Sequence, residues 1–168
     1  MKQKFIKLLA VLICLSLLCS CKGGYLMHID EGVMADERME EIIAVLKEKN
    51  MESLKSLFSA KAISEAPNFE NDFDRFFQFF QGTIETWERN SLSASRSIEY
   101  GKQSLMIRYG ILISTDIDDY LLFVIDYNID TVNPDNEGVY MLEISKQSYD
   151  GEWAGWQDRM VPGISIIE

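Results

Sequence analysis

The sequence predicts an α+β domain with helices first and a mostly antiparallel sheet second, and three observations carry that reading. Apolar residues recur at helical spacing from residue 36 to about residue 80, then at a period of two, and Asn-, Asp-, Gly- and Pro-rich clusters punctuate the second half. At 168 residues, 47% hydrophobic and 11% aromatic, the chain suits one domain with its own core and not a disordered segment.

Residues 1–21 are set apart from that domain. They carry Lys2, Lys4 and Lys7, then an apolar run over residues 8–18, and no acid. This is the layout of a secretory signal. The run falls well short of the roughly 20 residues a permanent membrane helix needs, which favours removal over retention as an apolar helix. Leu18-Cys19-Ser20-Cys21 follows directly and resembles the lipobox of bacterial lipoproteins. A box shifted to end at Cys19 would leave bulky Leu18 beside the cut. The resemblance implies that residues 1–20 are a signal peptide, that Cys21 is acylated, and that the protein is exported and anchored to the bilayer of a bacterial cell through that residue. Cys14 and Cys19 then leave with the signal and Cys21 carries lipid. No thiol remains for a disulfide, a nucleophile or a metal.

Residues 21–32 read as the lipidated cysteine and a Gly-rich tether, and residues 33–168 as the single domain. The only histidine, His28, falls in the tether, where a solvated ring is the expectation. From Asp36, the spacing of Met39, Ile42, Ile43 and Leu46 predicts a helix ending near Asn50, acidic early and basic late as the helix dipole prefers. Asn50 then caps a second helix through Leu54, Leu57, Phe58 and Ile63, broken at Pro67 and Asn68. In the third, Phe69, Phe73, Phe76, Phe77 and Phe80 form one stripe and Gly82 ends it. The stripe is read as core rather than a cofactor box; Phe79 lies off it and needs another partner.

Strands are expected over residues 83–89, 96–100, 104–114, 120–131 and 139–146, with residues 164–167 as a last one. The helix-facing set reads Leu105, Ile107, Tyr109, Ile111, Ile113, then Leu121, Phe123, Ile125, Tyr127, Ile129, then Tyr140, Leu142, Ile144. The other face mixes Leu112, Leu122, Val124, Val139 and Met141 with Arg108, Asp126, Asn128 and Glu143, a composition that predicts a homodimer interface.

The second-helix phrase NMESLKSLFSAKAI, the helix ending FFQG and the meander that follows together resemble the nuclear transport factor 2-like, or cystatin-like, α+β cone over about residues 34–168. With the lipobox and the tail PGISIIE, the chain is similar to small bacterial lipoproteins of unknown function that share that cone. The resemblance implies helices packed in the concave face of a curved sheet and a pocket for a small apolar or aromatic ligand, used for isomerase or dehydratase chemistry in some relatives. The His and Asp of those enzymes have no counterpart on the apolar strand face, so no catalytic residue is carried over.

In such a pocket Tyr109, Tyr127 and Tyr140 would face Phe73 and Phe77, with Trp87 and Glu85 on the first strand. Each also has a plain core or surface reading. Asp116, Asp118 and Asp119 lack the spacing of a calcium loop and read as a hairpin tip. Trp153 and Trp156 mark either a partner surface or a cover over the sheet edge. No phosphate loop, zinc motif or nucleophile elbow appears, and no cofactor is implied.

Sixteen Lys and Arg stand against 27 Asp and Glu, a formal charge of −11 that argues against nucleic acid as a partner. The sequence thus points to a non-catalytic surface lipoprotein binding a small ligand or a protein partner. The alternatives are a cofactor-free isomerase- or hydrolase-like enzyme acting through Glu85 or a Tyr, and a surface interaction or inhibitor protein acting through Trp153, Trp156 and the outer sheet face.

Overall fold

The computed structural model describes residues 30–148 and 160–168. The signal segment, Cys21, His28, Trp153 and Trp156 lie outside the described residues. The described chain runs α1 (Glu31–Glu48), α2 (Met51–Ser56), α3 (Ala60–Glu65), α4 (Phe69–Phe79), β1 (Ile84–Glu99), β2 (Lys102–Thr115), β3 (Asp119–Asp130), a 3-10 turn (Pro134–Asn136), β4 (Gly138–Lys146) and β5 (Gly163–Ile167). The strands form one sheet in the order β1-β2-β3-β4-β5, antiparallel except for the parallel β4–β5 pair. This is the α+β class the pattern predicts: helices layered on one side of a mostly antiparallel, open, curved sheet.

The helix caps follow local chemistry. Asp30 accepts hydrogen bonds from the Gly32 and Val33 amides, Asn50 from Ser53 and Ser59 from Ala62, meeting donors that a first helical turn leaves unpaired. The first helix therefore starts at Glu31, earlier than expected and inside the segment read as tether. Met39, Ile42, Ile43 and Leu46 are buried as their spacing predicts.

The expected second helix is split into α2 and α3. Its backbone leaves the helix to pair with β4: the Ser59 amide donates to Val139 O at 2.9 Å and the Val139 amide to Leu57 O at 2.9 Å. Gly138 makes this approach possible, because a Cβ there would sit 3.0 Å from both Leu57 O and Ser59 N. The side-chain period continues through the break, which is why spacing alone does not reveal it.

Residues 84–99 form one strand where two were expected. Ser91, Ser93, Ser95 and Ser97 alternate with Leu92, Ala94, Arg96 and Ile98, so the serine-rich stretch keeps the strand period; it pairs with β2 without a shift from Ser91↔Gly110 to Glu99↔Lys102. A two-residue turn closes the hairpin with Tyr100 and Gly101 both left-handed, φ 50° and 79°.

The face of β3 is opposite to the one expected. Tyr120, Leu122 and Val124 join the helix-side core, whereas Phe123 and Ile125 form a second cluster with Met141, flanked by Met106, Tyr127 and Tyr140. Both faces of β3 are apolar over residues 121–125, so alternation does not select one. A bulge then skips Asn128 and returns Ile129 to the helix side. Leu122, Val124, Val139 and Asp126 therefore point away from the outer face on which a dimer was expected. Of the residues that do lie there, Phe123, Ile125, Met141, Glu143 and Ser145 are already buried within one chain.

The main core joins Ala35, Met39, Ile42, Ile43 and Leu46 of α1 to the Phe stripe and the inner strand residues. Phe69, Phe73, Phe76 and Phe80 are buried, and Phe58, Phe69 and Phe73 meet edge to face with centroids 4.9–5.8 Å apart.

Candidate functional site

Two polar features interrupt this packing. The first lies beneath α1. Arg38 Nε donates to Asp126 Oδ2 at 2.9 Å, and its Nη1 donates to Glu41 Oε2 at 2.6 Å. Asp126 is fully buried, and burial pushes its carboxyl above the ordinary carboxylate range against the opposing pull of Arg38. Burial, with Asp126 adding to it, holds the Tyr109 phenol well above its usual value, so it stays protonated. Tyr109 Oη, Asp126 Oδ1 and Asn128 Oδ1 are buried without a hydrogen-bond partner. The cluster is a compact internal ion pair with a neutral phenol beside it.

The second feature opens to solvent where the end of α4 meets the ends of β4 and β5. It is a groove of about 520 Å³ lined by Arg75, Gln78, Phe79, Lys146, Ser148, Ile167 and Glu168. Phe79 is fixed there by Tyr120, whose ring meets it at 5.9 Å and whose hydroxyl donates to Phe79 O at 3.1 Å while accepting from the Gln81 amide at 2.9 Å. Arg75 approaches Glu168 at 3.8 Å across the groove. Lys146 pairs with Asp118; the hydrogen bond between them holds the ammonium above its ordinary value and the carboxyl below its own. Lys146 is thus a standing cation at neutral pH and not a base. A smaller depression, lined by Asp118, Asp119, Gln147 and Ser148, shares Ser148 with the groove.

The residues expected to line a pocket do not converge on one space. Phe73 and Tyr109 are both fully buried in the main core. Tyr127 packs against the second cluster on the other side of the sheet and meets Tyr140 edge to face at 5.8 Å. Tyr140 also donates to Glu65 Oε2 at 3.3 Å and lies under Lys61 Nζ, 5.9 Å from the ring centroid. Phe77 and Trp87 are half-buried at the edge of the core, and Glu85 is exposed where the β1–β2 register shifts. Asp116 accepts from the Thr83 amide at 2.6 Å, consistent with a turn role. Among the described residues no cluster of His, Cys, Asp or Glu could hold a metal ion, and no helix is long and apolar enough to cross a membrane.

Sequence reasoning missed the groove because its lining comes from three elements far apart in the chain. One signal was present: Phe79, off the helix stripe and in need of a partner, is its apolar wall.

The geometry defines a class, an α+β domain with a helical layer on one side of a five-stranded sheet and an amphipathic groove at the end of that layer. Within that class the chain belongs to the family described as Domain of unknown function (DUF5104), which matches residues 41–147. No curated protein matches it. The matched span runs from the middle of α1 through β4 and thus includes Arg38's partner Asp126, Phe79 and Lys146, but not β5.

Proposed function

We propose that this protein is an exported bacterial lipoprotein, acylated at Cys21, whose single domain holds a small ligand without transforming it. The layer of helices laid against a meander of long strands supports placing the domain with the nuclear transport factor 2-like fold. The groove of Arg75, Phe79, Lys146, Ile167 and Glu168 is the observation that carries the binding reading. Its volume of about 520 Å³ suits a small molecule. Phe79 and Ile167 offer an apolar wall, and Arg75 and Lys146, each beside a carboxylate, offer N–H donors. The ligand that fits has an apolar body and a polar or anionic end. Lys146 is held protonated by Asp118, which favours binding over proton transfer.

The test is native mass spectrometry of the full chain released from membranes in mild detergent, with Arg75→Glu and Ile167→Asp beside the parent. The reading expects a reproducible added mass on the parent, lost on unfolding and absent from both variants while their circular dichroism is unchanged. A parent that carries no added mass, or variants that retain it, would overturn the reading.

A further inference from the structure

The two edges of the sheet are treated differently. β5 is five residues long and follows Pro162, so little backbone is offered there. β1 is 16 residues long, pairs among the described residues with β2 alone, and is exposed along all of residues 88–99. Over residues 91–98 the edge carries no proline, no lysine and no bulge, and Arg96 is its one charge.

Cross-strand pairing fixes which way these side chains face, since directly opposite residues share a side. Leu92, Ala94 and Arg96 lie opposite Tyr109, Ile107 and Leu105, and so share the helix side of the sheet with Ile98 two residues on. Among the described residues Leu92 is 40% and Ile98 45% exposed. Ser91, Ser93, Ser95 and Ser97 line the other side, where Arg108 Nη1 donates to Ser95 Oγ at 3.3 Å.

We propose that this edge pairs with β1 of a second copy of the chain, antiparallel and centred on Ser95, to give a continuous ten-stranded sheet. The sequence is complementary to itself about that point. In this register Leu92 falls opposite Ile98 of the other copy, twice, burying the two large exposed apolar side chains of the strand. Ser93 falls opposite Ser97, Ala94 opposite Arg96 and Ser91 opposite Glu99, so no like charges face each other. Centring on Arg96 would set two arginines face to face, and centring on Ala94 would put Leu92 against Arg96. The chosen register leaves the two Arg96 side chains diagonal across the axis. Their repulsion is screened by salt, so the dimer tightens as ionic strength rises, the reverse of what an acidic partner or an anionic bilayer would show. The contact is isologous and closes at two copies.

The experiment uses the full chain in mild detergent. Light scattering, corrected for detergent, gives the protein mass of the parent and of Leu92→Lys, whose exposed position tolerates the change. In parallel, diamide oxidises Ser95→Cys, Ser91→Cys and the parent, which sets the background. Self-pairing places the thiol introduced at position 95 opposite its own copy at a separation a disulfide can span, and leaves the thiol introduced at position 91 remote from its copy. The expected result is a two-copy parent, a one-copy Leu92→Lys, and a covalent dimer from Ser95→Cys alone. A one-copy parent, a Leu92→Lys variant that stays paired, or equal cross-linking at positions 91 and 95 would overturn the proposal. Capture of a one-copy parent by anionic vesicles, weakened by salt and lost in Arg96→Glu, would also overturn it and assign the hairpin to the bilayer.

Discussion

Arg38 and Asp126 stand 88 positions apart and meet at 2.9 Å beneath α1, the Arg38 side chain 23% exposed and the carboxylate wholly enclosed. The pair joins the first helix to the middle of the sheet. Removing only the cation leaves a buried, uncompensated charge, a situation that costs about 3–5 kcal/mol. Arg38→Ala should therefore lose about that much in urea unfolding at neutral pH, and Arg38→Ala with Asp126→Asn should recover a large part of it. Equal losses in the single and double variants would show that Arg38 acts through packing alone.

The same carboxylate gives a pH dependence with a definite sign. Burial raises the Asp126 pKa in the folded state, so protonation favours folding. This contribution is complete below the ordinary Asp value of about 3.9 and is lost as pH rises through the raised value. The stability of the parent relative to Asp126→Asn should fall with rising pH across that window. A difference that stays flat or grows with pH would contradict the burial argument.

Phe73 is fully buried and meets both Phe58 and Phe69 edge to face. Phe73→Ala should cost about 3–5 kcal/mol by denaturant titration, and Phe77→Ala distinctly less because that ring is half-buried. A reversal of the order would mean that the half-buried ring, not the central one, anchors α4.

Gly82 has φ +91°, and a Cβ there would lie 2.5 Å from Thr115 Oγ1 and 2.7 Å from Asp116 Oδ1. Gly82→Ala should therefore destabilise by about 1–3 kcal/mol through strain at the joint between α4 and β1. Gly101, also left-handed but with nothing within 4 Å of a Cβ, should tolerate Asn with a smaller change. Matching thermal unfolding midpoints for Gly82→Ala and the parent would show that the joint relaxes freely.

Cys21→Ser should move the protein from the carbonate-washed membrane fraction to the soluble one and abolish palmitate labelling, while Cys19→Ser leaves both unchanged. Labelling that follows Cys19 instead would shift the lipidated position.

Much of the architecture was legible in the sequence because helices and strands write their period into it. The Phe stripe, the buried face of α1 and the inner face of β2 follow from spacing, and the apolar tail marks a closing strand at residues 164–167. What spacing did not carry was contact between distant segments. The break between α2 and α3 arises from a backbone bridge to Val139, and the orientation of β3 from a choice between two apolar faces that the partner strands make. For the same reason Tyr127 lies on the opposite side of the sheet from Tyr109.

The sequence by itself determined the order of the elements and the residues able to build a core, since each depends on neighbours within one or two turns of chain. Only the tertiary structure decided that Arg38 finds Asp126, that Phe79 walls a groove with Lys146 and Ile167, and that β1 is exposed along residues 88–99. Those features depend on which surfaces are brought together at long range, where burial and pairing of whole elements outweigh any local preference.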